Sequence, residues 1–210
     1  MGWLEYIAHN QDEFWHLVAQ HLMITGTVSL LIIIIGVPLG IYITRNKWLE
    51  GPVIWIANVG QTIPTIAVFG LVLPFMGIGL KPALFALCLY GILPIIRNTY
   101  TGIKSVDPAL IESAAGMGMT PSQILMRVEI RLALPVIMAG IRTAVVISVG
   151  MAALATFIAA GGLGDLIVRG LSMMDNAVLL AGAIPTAILA VLADIILGMA
   201  EHAMIPRGIR

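Results

Sequence analysis

Asn58, Gln61, Thr62 and Thr65 are the first residues in this chain whose types and spacing suggest work rather than burial. They interrupt an apolar run at offsets of three, four and seven, which places them on one face if the run is a single helix. Amides and hydroxyls both donate and accept hydrogen bonds. Such a face can pass a polar solute or hold a neighbouring helix by the same bonds. Tyr90 opens a second stripe, continued by Pro94, Arg97, Asn98 and Thr101, and Ser148 adds a hydroxyl to a later apolar run. Tyr90 can line a path or pack as a core aromatic, and Arg97 reads as an interface anchor. Asp194 is a carboxylate inside a clearly apolar run. It is either a functional group or the partner of Arg142 or of a backbone group. A proton relay needs further titratable partners, and the nearest are Glu201 and His202. Covalent chemistry has no such support. No nucleophile–base set stands out, and His9, His16, His21 and His202 form no metal motif, the first three reading as surface residues. The single Cys88 excludes a disulfide or a cysteine metal site within one chain. Recognition and passage remain, and enzyme activity is not expected.

The elements that must position these groups are apolar helices. The chain has 210 residues, 60% hydrophobic and 10% charged, with a mean hydropathy of +1.03. A hydrocarbon core of about 30 Å takes about twenty apolar residues per helix. Five such runs lie near 22–44, 53–76, 80–97, 134–160 and 177–200. The fold class is therefore an all-α integral membrane protein of about five transmembrane helices. All of 1–210 forms one membrane domain, with residues 1–20 as an external amphipathic arm or a simple extension of the first span and 103–135 as a cytoplasmic coupling insert. The acidic start WLEYIAHNQDEFWH predicts no cleaved signal peptide. A net charge of zero offers no footprint for nucleic acid.

One stretch, 103–135, is polar and capped. Asp107 before Pro108 is a helix start: a side-chain acceptor, then a residue with no N–H to satisfy. Gly116 and Gly118 break that helix. Thr120-Pro121-Ser122-Gln123 opens a second one with the pattern of a capping box. Nine of the eleven Lys and Arg residues fall on the side of this insert: Arg45, Lys47, Arg97, Lys104, Arg127, Arg131, Arg142, Arg207 and Arg210. Lys81 and Arg169 fall on the other. By the positive-inside rule, the insert and the C-terminus are cytoplasmic and the N-terminus is outside. The Gly161-Gly162-Leu163-Gly164-Asp165 run is not a phosphate loop, because it lacks the Lys-Ser/Thr pair and follows an apolar span. With no Walker A motif the chain does not itself hydrolyse ATP.

The insert resembles the cytoplasmic loop of permease subunits of binding-protein-dependent ABC importers. Their signature is Glu-Ala-Ala, three residues, Gly, nine residues, Ile-x-Leu-Pro. Here it stands as Glu112-Ser113-Ala114, Gly118, and Val128-Glu129-Ile130-Arg131, with Ser113 in place of Ala and Arg131 in place of Pro. The second change lets the helix run on toward Leu134. QTIPTIAVFG (61–70), LPIIRNTYTGIKSVDPALIESAAGMGM (93–119), LPVIMAGIRTAVV (134–146) and AAGGLGDLIVRGL (159–171) are similar to the osmoprotectant branch, whose members import glycine betaine, carnitine and choline. The resemblance implies a type I ABC importer permease fold in a bacterial cytoplasmic membrane. It implies a second permease chain, identical or homologous, two cytoplasmic ATP-binding subunits that hold ATP and Mg, and an external substrate-binding protein. It carries ATPase coupling onto Glu112, Ser113, Ala114, Gly116, Gly118 and Met119. The translocation path is expected along Asn58, Gln61, Thr62, Thr65, Tyr90 and Ser148. Alternatives are a permease for amino acids or methionine, and a proton-driven secondary carrier working through Asp194.

Overall fold

The computed structural model describes residues 2–204, so Arg207 and Arg210, counted in the charge bias, lie outside the described residues. The described residues are helical almost throughout, with no strand. A short α1, Trp3–His9, leads into α2, Gln11–Arg45, which runs unbroken for 35 residues. The break falls at Asn10, and residues 11–20 run on without interruption into the helix of the first candidate span. Buried Phe14 and Leu17 draw them in against the far end of the chain. Two shorter helices follow, α3 (Lys47–Gly60) and α4 (Thr65–Met76), bent by 106° at the break between them. The expected second span is therefore a broken span or a re-entrant pair. Pro64 stands at the N-cap of the second half.

The centre of the molecule is α5, Leu80–Lys104, packed between α2 and the later α8, Ile130–Ala152. Close approach is built from small residues. A Cβ on Gly40 would sit 2.6 Å from Cβ of Thr99, and one on Gly140 would sit 2.5 Å from Cβ of Asn98. Neither site accepts even Ala without moving a helix, which is how small residues stand in for the missing hydrophobic drive between helices in lipid. Ile24, Val28, Ile32, Leu87, Ile95 and Ala144 fill the resulting core.

Between α5 and α8 come α6 (Pro108–Gly116) and α7 (Pro121–Ile124). A π-helical turn, Leu125–Glu129, joins α7 to α8 without interruption, and a 3-10 turn, Ala153–Ile158, closes α8. The second helix of the insert and the fourth span are thus one rod from Pro121 to Ile158, as the lost proline at Arg131 suggested. The chain ends with α9 (Gly164–Met173) and α10 (Asn176–Met204). Among the described residues four helices are long and apolar enough to cross a membrane, or five spans if the bent pair counts as one.

Ion pairs sort the two ends. Arg45 pairs with buried Glu129, and Lys104 lies 3.6 Å from Glu50, both at the end that carries the insert. Arg169 pairs with Glu13 at 2.7 Å at the opposite end. That carboxylate holds the Arg169 guanidinium above its ordinary range. Arg142 departs from the expected grouping. It lies twelve residues into α8, within the apolar span rather than beside the insert. His21 also departs from expectation. It is fully buried, its Nε2 3.1 Å from the carbonyl of Val149.

Candidate translocation and coupling sites

The α3–α4 break, α5 and α8 line an open cavity of about 690 Å³. Its walls are Gln61 and Thr65 from the break, Tyr90, Pro94, Arg97, Asn98 and Thr101 from α5, and Thr143, Ile147 and Met151 from α8. The α5 residues are one helical stripe, and all of it faces the cavity. Two bonds fix its shape. The Tyr90 hydroxyl donates to the backbone carbonyl of Gln61 at 2.9 Å, tethering the break across to α5. The Asn98 side chain donates to the carbonyl of Pro94 at 2.9 Å. The lining has no carboxylate, and Arg97 is its only charged residue.

Three of the six expected path residues meet here: Gln61, Thr65 and Tyr90. The other three do not line this cavity. Because the span bends, Asn58 and Thr62 do not share a continuous face with Thr65. Both are exposed, and the Thr62 hydroxyl turns back to the carbonyl of Val59 at 2.7 Å. Ser148 is buried, donating to the carbonyl of Ala144 at 2.7 Å and packed where a Cβ on Gly91 would touch it. It serves helix contact. Arg97 is part of the cavity rather than a bare interface anchor. Asn98 and Thr101 were visible in the sequence stripe. Thr143 was hidden among the small residues of the fourth span.

A second polar centre joins α8 to α10. Arg142 holds both carboxylate oxygens of Asp194, with Nη2 at 2.6 Å from Oδ2, and its Nη1 lies 3.8 Å from Glu201. A fork-on-fork pair leaves neither charge bare in an apolar span. Asp194 thus has the Arg142 partner that its position called for.

The insert is built as its caps require. Asp107 accepts from the N–H of Ala109 at 2.8 Å, with Pro108 in the first turn. Thr120 and Gln123 form the reciprocal capping box: Thr120 N–H donates to Oε1 of Gln123 at 2.9 Å, and Gln123 N–H donates to the Thr120 hydroxyl at 3.4 Å. Between them α6 ends in a Schellman turn. Met119 N–H reaches the carbonyl of Ala114 at 3.1 Å, and Gly118 N–H reaches that of Ala115 at 2.9 Å. Gly118 has φ +81°, the left-handed conformation this turn demands. Gly116 does not break the helix; it is the last residue of α6, and a Cβ there would meet nothing within 4 Å. Glu112, Ser113 and Met117 are exposed, while Ala114 is buried.

Apolar spans, an open cavity lined in part by polar side chains and a capped hinge at one end fit a multi-span membrane permease. The chain belongs to the family of binding-protein-dependent transport system inner membrane components, whose model matches residues 36–206. It is 50% identical over 196 residues, 93% of this chain and 86% of the other, to the carnitine transport permease protein OpuCD of Listeria monocytogenes. It is 46% identical to the osmoprotectant import permease protein OsmW of Salmonella typhimurium, with both chains covered in full. Among solved structures, an inward-facing conformation of the MetNI methionine ABC transporter superposes with a TM-score of 0.84, at 25% identity. That match covers 92% of this chain and 97% of the other.

Proposed function

We propose that this chain is the pore-forming permease subunit of an ATP-driven importer of osmoprotectants such as glycine betaine, carnitine or choline. The observation that carries the reading is the half identity, over nearly the whole chain, to a permease named for carnitine transport. The whole chain acts as one permease domain, set in a bacterial cytoplasmic membrane with its N-terminus outside and its C-terminus in the cytoplasm. It pairs with a second permease, identical or homologous. Two cytoplasmic ATPases bind ATP and Mg and do the hydrolysis, and an external protein delivers the solute.

Closure of the ATPase pair pushes on the insert, with Glu112 through Met119 seated in it. The capped turn supports that role, because it is stiff and presents exposed side chains such as Met117. The second insert helix runs straight into α8, so a push at Thr120 reaches Thr143 and Ile147 through one rod. Rotating that rod opens or closes the cavity on Gln61, Thr65 and Tyr90. Recognition of the quaternary ammonium rests with the external protein, since the lining has one aromatic and no cage for it.

The test is capture of the tagged chain in mild detergent with its partners, followed by uptake assays on the reconstituted set with betaine, carnitine, choline, methionine and proline. ATP-dependent uptake of one of the first three is expected. Vesicles that accumulate solute without an ATPase would overturn the reading. A methionine permease is the second reading, favoured by the superposition on MetNI. Its 25% identity against 50% ranks it below, and the same panel separates the two. A proton-driven carrier predicts uptake without nucleotide, abolished by Asp194→Asn. The Arg142–Asp194 fork favours a structural carboxylate over that carrier.

A further inference from the structure

We infer that Arg97 reads the solute's carboxylate inside the cavity, so that this permease passes zwitterions bearing a carboxylate faster than it passes a quaternary amine alone. The assignment rests on the osmoprotectant reading and deepens it. Arg97 lines the cavity, is exposed, and has no acidic partner among the described residues. Arg45, Arg142 and Arg169 each have a carboxylate on them; Arg127 and Arg131, which like Arg97 show no ion pair among the described residues, lie at the insert and away from the cavity. Arg97 alone of the cavity-lining residues carries charge, and no Asp or Glu lines the space with it. A guanidinium without a counter-ion on the wall of an open pocket is a fixed positive charge with five donors, suited to a planar carboxylate.

Geometry adds a second argument. The volume of about 690 Å³ is within the range of roughly 300–1,000 Å³ typical of small-ligand sites. Asn98 lies one residue on, and Thr101 four residues on, so neutral donors continue the stripe beyond the charge. Tyr90 lies seven residues before Arg97 on the same stripe, about 10 Å away along the helix. Its hydroxyl is already committed to Gln61. Nothing in the lining offers negative charge to an ammonium group, so a pure cation meets repulsion at Arg97 with no compensating contact. A betaine or carnitine meets attraction for one end. The site is a bias on passage, not a tight receptor, because one charge in a wet cavity is screened.

The experiment uses the complete importer with its ATPase and binding protein, in vesicles, carrying wild type, Arg97→Lys, Arg97→Gln or Arg97→Glu. Labelled glycine betaine and labelled choline are offered together, and the readout is the ratio of their ATP-dependent uptake. The ratio is taken within one preparation, so it does not depend on how much variant assembles. Arg97→Gln is expected to lower the betaine-to-choline ratio about tenfold, Arg97→Glu to lower it further, and Arg97→Lys to stay within about twofold of wild type. An unchanged ratio in both the Gln and Glu variants, including a uniform loss of both uptakes, overturns the assignment. Wild type that carries none of glycine betaine, carnitine and choline overturns the osmoprotectant reading itself, and this assignment with it; where carnitine is the carboxylate solute carried, it takes the place of betaine in the ratio.

Discussion

The insert and the bent pair α3–α4 each set a break between two helices, yet different forces hold them. In the insert, each end is closed by its own sequence: Asp107 on Ala109, Thr120 with Gln123, and Gly118 in the left-handed turn. In the bent pair, Pro64 makes no side-chain cap, and the tie that holds the break is the Tyr90 hydroxyl, 29 residues along the chain, on the carbonyl of Gln61. A locally closed hinge keeps its shape while the parts around it move. A hinge held from a distance changes whenever its partner helix does. The first property suits an element that transmits force, the second an element that shapes a gate.

The largest effect separates these two kinds of hinge. Gly118→Val forces a β-branched residue to φ +81°, a conformation that costs roughly 1–2 kcal/mol even for an unbranched residue. Because the turn is local, the strain stays in the insert. The expected outcome is at least about tenfold loss of ATP-dependent uptake, with the permease still assembled by size-exclusion chromatography. Full uptake in that variant would refute the role of the insert as a lever.

Tyr90→Phe tests the other side. It removes one donor, leaves the ring in place, and frees the Gln61 carbonyl into the cavity, at about 1 kcal/mol. Uptake is expected to fall about fivefold by rate while the insert is undisturbed, which limited proteolysis between Lys104 and Pro121 would read. A variant that loosened the insert as well would show that the two hinges are one mechanical unit.

This contrast also explains what the sequence could tell. The insert was legible because caps are local chemistry, and Asp107, Thr120 and Gln123 announce themselves at fixed spacing. The break at 61–64 was not. Gln61 and Thr65 sit at helical spacing with Asn58, and a 106° bend leaves that spacing unchanged on the page. Only Pro64 marked the place, and a proline in an apolar run reads equally as a kink. His21 was misplaced for the same reason, since its partner Val149 is 128 residues away. Arg97 could be assigned to the α5 stripe but not to a cavity, because two of its walls come from other helices. For Asp194 the sequence offered Arg142, a backbone group or a functional role side by side, and only the fold brings Arg142 onto it.

Thr120→Ala is a smaller test of local closure. It deletes one half of the capping box and is expected to cost about 1 kcal/mol of local helix stability. Hydrogen exchange at Gln123 should rise, with uptake reduced less than about threefold, because the rod beyond Leu125 is held by Glu129 on Arg45 and by packing. Equal losses in this variant and in Gly118→Val would mean that the insert works by its rigidity as a whole, not by its turn.

The smallest effect has the opposite sign. Gly116 and Gly118 are two residues apart and read alike in sequence, but Gly116 is helical and a Cβ there meets nothing within 4 Å. Gly116→Ala therefore gains the backbone entropy that glycine wastes in a helix, about 0.5–1 kcal/mol, and adds no clash. A slightly higher melting temperature is expected, with uptake unchanged as long as the exposed face of α6 tolerates a methyl group. A stable Gly116→Ala variant that lost uptake would locate an ATPase contact at that bare Cα, because the fold itself supplies no other neighbour for the methyl to meet.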